Sequence, residues 1–451
     1  MVSDSLKSLL AYASDWERLT VYPTKKVNPK KPSLTFDKDS GQIYLPYPFV
    51  APNTKKSNKN AHLERLFYWD SLLIIKALTS SGNKKLINLA RAQVDNFDYL
   101  FKLFSFIPNE ADITFLSRSQ PPFLTTMILD VFKETKDKKW LLQKIKLAKE
   151  EYRCVWTRTA QEAIGCAVRF ANHRVDGTVL CHFGDRDVAN DGYAAEAESG
   201  MDCTRQYGSR AGRFLSVMLN SCLYKYEVDF AEVARMFKNK KEENYWLAAA
   251  KTRKAQMNKY LWDDKRGYYF DYDLDLKRKN TDYFGLTGFM PLWTGAASEE
   301  QAALVNNYLP SFKTPFGLTT ATKNSAPPKK VSAQIAALLD KANLPPIVLP
   351  RINDLFKPKQ WDYPNIWAPL EYFALAGLVK NGNAEQASKV MKDILSTLAK
   401  YYKKYKTLPE KINGLTGDTG GSFHYKDQAG FGWTNALVVI LERYLKIRAL
   451  A

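Results

Sequence analysis

The chain has 451 residues, of which 45% are hydrophobic and 13% aromatic, and 66 Lys and Arg against 47 Asp and Glu give a net charge of +19. This is ample for a large core, and without a Pro/Gly/Ser-rich linker or a block of disordered composition one domain is favoured over several. The basic residues are spread in short clusters such as Lys25 with Lys26, Lys55 with Lys56 and Lys329 with Lys330, which excludes a dedicated nucleic-acid reader and leaves only weak attraction to polyanions.

Residues 1–7 lack the apolar stretch of a secretory signal, and no apolar run further on reaches membrane-span length. Residues 1–59 show strand-like alternation over 33–45 and are expected to form an N-terminal extension packing on the main body. After residue 60, apolar positions three and four apart predict helices over 70–80, 84–104, 121–134, 139–152, 155–171, 209–236 and 242–260. The pattern returns over 332–343, 367–381, 384–405 and 432–449, while 267–272 alternates like a strand. Five cysteines (Cys154, Cys166, Cys181, Cys203, Cys222) fall mid-chain without metal-ligand spacing, and there are only four histidines. No metal or other cofactor is therefore expected, and reduced thiols suit a cytoplasmic protein.

About a dozen helices are thus joined by loops, and the chemically suggestive segments recur about once every two helices. In a toroid of paired helices such loops meet at one end in a central funnel, so distant segments build one site. The segments are FYWDS at 67–71, IPN at 107–109, LSRSQPPF at 116–123, EAESGMD at 196–202, QWDYPNIWAP at 360–369, PEK at 409–411 and QAGFGWTN at 428–435. Trp361 and Trp367, with a carboxylate, an amide and two prolines close by, read as a platform for a pyranose. Ring faces meet the CH-rich faces of a sugar, Asp and Asn bond its hydroxyls, and proline keeps the backbone extended.

These segments, taken in order, resemble trehalase, glycoside hydrolase family 37, within the six-hairpin glycosidases. The match runs from about residue 60 to the C-terminus and is most specific at 360–369, 430–435 and 116–122. The resemblance implies an all-α (α/α)6 barrel and an enzyme that inverts configuration with two carboxyl groups about 6.5–9.5 Å apart. It puts the general acid on Asp202 and the general base on Glu410. Beside that, Met201 and Cys203 suggest partial burial of Asp202, which favours a protonated acid, and Lys411 with the nearby lysines favours an ionised Glu410. Substrate contacts implied by the resemblance are Trp69, Asp70, Asn109, Arg118, Gln120, Trp361, Asp362, Asn365, Trp367, His424 and Trp433.

The chain departs from the family pattern in several places. His62 stands at an arginine position, a further arginine and acid fall near Asn190 and Gly192, and His424 replaces a glutamate. Ile366 replaces a glycine. Met201 replaces a tryptophan, as in bacterial family 63 enzymes. The expected substrate is a small disaccharide or glycoside, α,α-trehalose first. Another small α-glucoside or α-mannoside, or a noncatalytic sugar-binding protein, are the alternatives; no specific nucleic acid and no membrane partner are expected.

Overall fold

Two burial patterns separate the helices into an inner and an outer layer. The helix Ala384–Tyr405 buries one stripe, Ala387, Val390, Met391, Ile394, Leu395 and Leu398, and turns lysines outward. By contrast Asp70–Ser80 is buried nearly all round, through Leu72, Leu73, Ile74, Ile75, Ala77 and Leu78. A helix apolar on every side must be enclosed by other elements. The structure is a computed structural model and describes residues 4–158, 174–184, 191–325, 359–420 and 428–450.

In chain order the helices are α1 (Asp4–Ala13), α2 (Asp70–Ser80), α3 (Lys84–Phe104), α4 (Leu124–Thr135) and α5 (Lys138–Glu151). Then come α6 (Asp191–Glu198), α7 (Val217–Met236), α8 (Lys240–Tyr260), α9 (Met290–Thr294), α10 (Glu299–Asn306) and α11 (Leu309–Phe312). The C-terminal third supplies α12 (Ala368–Lys380), α13 (Ala384–Tyr405) and α14 (Gly432–Leu450). Packing closes a ring: α2 on α4, α4 on α7, α7 on α9, α9 on α12, α12 on α14, and α14 back on α2. Outside it, α3 covers α2, α5 covers α4, α8 covers α7, α13 covers α12 and α1 lies against both α13 and α14. This is the expected (α/α)6 barrel.

The α7–α8 hairpin is pinned by a buried ion pair, Arg253 Nε to Glu227 Oε1 at 2.8 Å, which Tyr152 also joins through a hydrogen bond to Glu227. Asn83 caps α3 by accepting from the Lys85 N–H, and Ser105 ends that helix in the left-handed region. Among the described residues, no helix is long and apolar enough to cross a membrane.

The expected helices over 70–80, 84–104, 384–405 and 432–449 agree with the structure to within a residue. Two begin late for identifiable reasons. Pro121 and Pro122 hold their segment extended, so α4 starts at Leu124. Residues 209–216 do not continue α7; Phe214–Leu215 pairs with Tyr272–Asp273, and Ser216 then caps α7 by accepting from the Leu219 N–H. The alternation over 33–45 leaves only isolated bridges among the described residues, Phe36 to Ile43 and Gln42 to Asp112. Residues 155–156 end a π-helical turn, Tyr152–Trp156, and 157–158 leave the helix. The rest of that expected helix, and the one over 332–343, lie outside the described residues.

Candidate active site

The segments singled out in the sequence lead into the N-terminal ends of inner helices. FYWDS enters α2, the run 107–123 enters α4, EAESGMD precedes α7, QWDYPNIWAP enters α12, and PEK with QAGFGWTN precedes α14. They surround a cavity of about 320 Å³. Its wall brings together ten of the expected residues: Trp69, Asp70, Asn109, Arg118, Gln120, Asp202, Trp361, Trp367, Glu410 and Trp433, and His62 joins them at the rim.

The aromatic side is tightly built. Trp361 and Trp367 stack face to face with centroids 3.7 Å apart, Trp69 stacks on Trp361 at 5.5 Å, and Trp433 meets Trp367 edge-on at 5.5 Å. Trp361 and Trp367 therefore spend faces on each other, so they form one buried aromatic block rather than two separate platforms. The Trp367 indole donates to the Gln360 carbonyl and that of Trp433 to the Glu410 carbonyl, both at 2.8 Å. The indole N–H groups of Trp69 and Trp361 are buried without a partner among the described residues.

Asp202 sits in a turn shaped by its neighbours. Gly200 has φ +72°, and a Cβ there would fall 2.0 Å from a ring carbon of Trp69; Cys203 takes φ +63°, unusual for a residue with a side chain. The Gln360 amide donates to Asp202 Oδ2 at 2.9 Å and to its backbone carbonyl at 3.0 Å. Two acids stand behind this turn. Glu198 accepts from the Ser119 and Gly184 N–H groups, and Glu196 from those of Thr204 and Ser209. Burial pushes the Glu196 carboxyl up to about 7.

Glu410 is buried on the wall contributed by the loop before α14. Lys411 places its ammonium 3.2 Å from Glu410 Oε2, and that lysine is fully enclosed. A short ribbon aligns Asn365–Trp367 with Lys411–Asn413, Trp367 opposite Lys411, so the aromatic block and the Glu410 segment share one frame. Asp70 opens α2, where the helix N-terminus favours a negative charge. Burial and the neighbouring charge of Glu410 outweigh that and push its carboxyl up to about 8.

Two expected sugar contacts are placed elsewhere. Asp362 is turned away from the cavity, accepting from the backbone N–H groups of Arg205 and Lys359 at 2.9 and 3.0 Å and from Thr204 and Tyr283 at 3.2 Å. Its carboxylate joins the Trp361 loop to the residues that follow Asp202. Asn365 donates to the Gln360 carbonyl at 2.9 Å and so holds the amide that bonds Asp202. Neither lines the cavity. Gln120 is on the wall, yet its Oε1 also accepts from the Trp69 N–H at 2.8 Å, locking the α2 and α4 entrances together. His424 and Asn190 lie outside the described residues.

The sequence reading left out several wall residues. Glu110, Phe67, Phe115, Leu63 and Pro52 all reach the cavity, as does Phe431 beside Trp433. For Glu110 the signal was its position next to Asn109. Gln360 stood in the most informative segment, but its role toward Asp202 depends on the loop geometry.

Because α7 and α14 are three places apart in a ring of six, the Asp202 and Glu410 segments approach from opposite sides. Two carboxyl groups brought to one aromatic-lined cavity by different sides of the ring are an arrangement suited to proton transfer at two faces of a bound group.

Comparison with known proteins agrees with this architecture. The family model described as Trehalase matches residues 7–179, 192–334 and 321–445, beginning well ahead of residue 60. The cytosolic neutral trehalase of Saccharomyces cerevisiae is 27% identical over 477 residues, covering 92% of this chain and 59% of its own length. A probable trehalase of the same yeast is 28% identical over 466 residues, covering 89% of this chain and 55% of its own. This chain thus spans less than two thirds of either relative. The solved structure of a neutral trehalase from Saccharomyces cerevisiae has a TM-score of 0.71 at 24% identity, over 93% of this chain and 78% of that one. A family 63 mannosylglycerate hydrolase from Thermus thermophilus, solved with glucose, has a TM-score of 0.58 at 15% identity, over 87% and 95%. These two show the shared fold. On the extent of the family match, the chain belongs to the trehalase family.

Proposed function

We propose that the cavity hydrolyses a small α-glycoside with inversion, α,α-trehalose first among candidates, with Asp202 as general acid and Glu410 as general base. The observation that carries this reading is the arrival of both carboxyl groups, from opposite inner helices, on one cavity lined by tryptophans and sugar-compatible polar groups. The names of the yeast relatives support the choice of trehalose.

Asp202 gives its proton to the glycosidic oxygen as the bond from the anomeric carbon breaks. Glu410 takes a proton from water, whose oxygen bonds the same carbon from the other face, and exchange with solvent restores both groups. The Gln360 amide fixes the Asp202 carboxyl, and the Lys411 ammonium stabilises negative charge on Glu410. Asp70, Asn109, Arg118 and the free indole N–H groups offer bonds to sugar hydroxyls.

The test is a disaccharide panel with quantified release of monosaccharide. Glucose release from trehalose above that from maltose, sucrose and mannosyl-glycerate is the expected result. Activity confined to another α-glycoside would move the substrate and keep the chemistry; sugar binding without any turnover would remove the chemistry as well.

A further inference from the structure

We propose that Glu110 binds hydroxyl groups of the substrate and sets sugar specificity in the part of the cavity formed by the loops entering α2 and α4. This rests on the reading of the cavity as a glycoside site. Glu110 is held by backbone on both sides: the Tyr68 N–H donates to the Asn109 carbonyl at 3.2 Å and the Ala111 N–H to the Leu66 carbonyl at 2.9 Å. Phe67 and Glu110 bridge between these bonds. The residue therefore has little freedom to move from the wall, where it stands with Asn109, Arg118 and Phe67.

Glu110 is 4% exposed and its carboxyl accepts no hydrogen bond among the described residues; Oε2 is a buried oxygen without a donor. The nearest cation, Arg65, keeps Nη1 3.9 Å from Oε2, beyond hydrogen-bond range, and spends its Nε on Asp112 at 2.7 Å. An ion pair with Arg65 thus accounts poorly for the group. A buried carboxyl with no donor is costly to fold, and such a group on a cavity wall is the kind that a ligand completes. Burial pushes it up to about 8, which Arg65 only partly opposes, so at neutral pH it can both donate to and accept from adjacent hydroxyls. The ligand chemistry is a pyranose with vicinal hydroxyl groups, and discrimination arises because a deoxy analogue leaves the carboxyl unsatisfied.

The experiment measures dissociation constants, by tryptophan fluorescence and calorimetry, for trehalose, glucose and the monodeoxyglucoses on Asp202→Asn protein carrying Glu110, Glu110→Gln or Glu110→Ala. Glu110→Ala is expected to weaken glucose or trehalose about tenfold and Glu110→Gln less than about threefold. One monodeoxyglucose should bind the Glu110 protein about tenfold worse than glucose, and the Glu110→Ala protein no worse. Unchanged affinities in Glu110→Ala, with a fall in melting temperature, would mark Glu110 as a structural partner of Arg65 and overturn the inference alone. No sugar binding by the Asp202→Asn protein would overturn the reading of the cavity and this inference with it.

Discussion

Gly200 shows how narrowly one residue sets the site. Its φ of +72° and the 2.0 Å approach that a Cβ would make to Trp69 leave no room for another side chain. Gly200→Ala is expected to cost more than about 3 kcal/mol and to displace Trp69, visible as a lower melting temperature and shifted tryptophan emission. Asp70 carries a pH signature. Its carboxyl is neutral until pH approaches about 8, and ionisation then sets a second negative charge near Glu410. Activity should fall as pH rises through that value, and Asp70→Asn should remove or move this alkaline limb in a kcat/KM profile, with Glu110 contributing to any limb that remains. At this scale the sequence named most of the wall, because aromatic and acidic residues adjacent in a loop are conspicuous. It misplaced Asp362 and Asn365, since only the fold shows that backbone N–H groups claim the first and the Gln360 carbonyl the second.

Elements place these residues by ending at the right depth. The α2 and α14 N-termini and the loops before α4 and α12 reach the cavity, and the ribbon of Asn365–Trp367 with Lys411–Asn413 couples two entrances. Glu371 in the first turn of α12 supports the same region: it is buried and accepts from the Leu318 N–H at 2.9 Å. Burial pushes its carboxyl from 4.5 up to about 8. The folded state therefore holds a proton that the unfolded chain loses near pH 4.5, so stability falls as pH rises between those values and levels off above them. Glu371→Gln keeps an acceptor for Leu318 and is expected to flatten this part of the stability curve, measured by denaturant unfolding from pH 5 to 8. Long helices such as α3 and α13 were legible from their stripes, and the enclosed α2 from its length and spacing. The short α9, α10 and α11 were not, because fewer than three turns give periodicity too little length to register.

Ring closure belongs to the whole molecule. Packing α14 on α2 joins residues more than 350 positions apart, and that closure brings Glu410 beside Asp70. Periodicity reports local structure only; the sequence reached the toroid through helix count and family resemblance, and it could not say which loops face each other. We propose that residues 1–59 pack on the barrel as one extension, supported by α1 lying on α13 and α14 with Leu9 and Ala13 buried. Deleting residues 1–13 should lower stability by at least about 2 kcal/mol while the rest remains helical, read from thermal unfolding by circular dichroism. The central claim, inversion by Asp202 and Glu410 facing each other across the cavity, is tested most directly by proton NMR of the earliest products formed from α,α-trehalose. Inversion at one anomeric carbon predicts α- and β-glucose in equal amounts before mutarotation, and a loss of about 10²–10⁴-fold in turnover for Asp202→Asn. Early product that is α-glucose alone, or an Asp202→Asn protein as active as the parent, would contradict it.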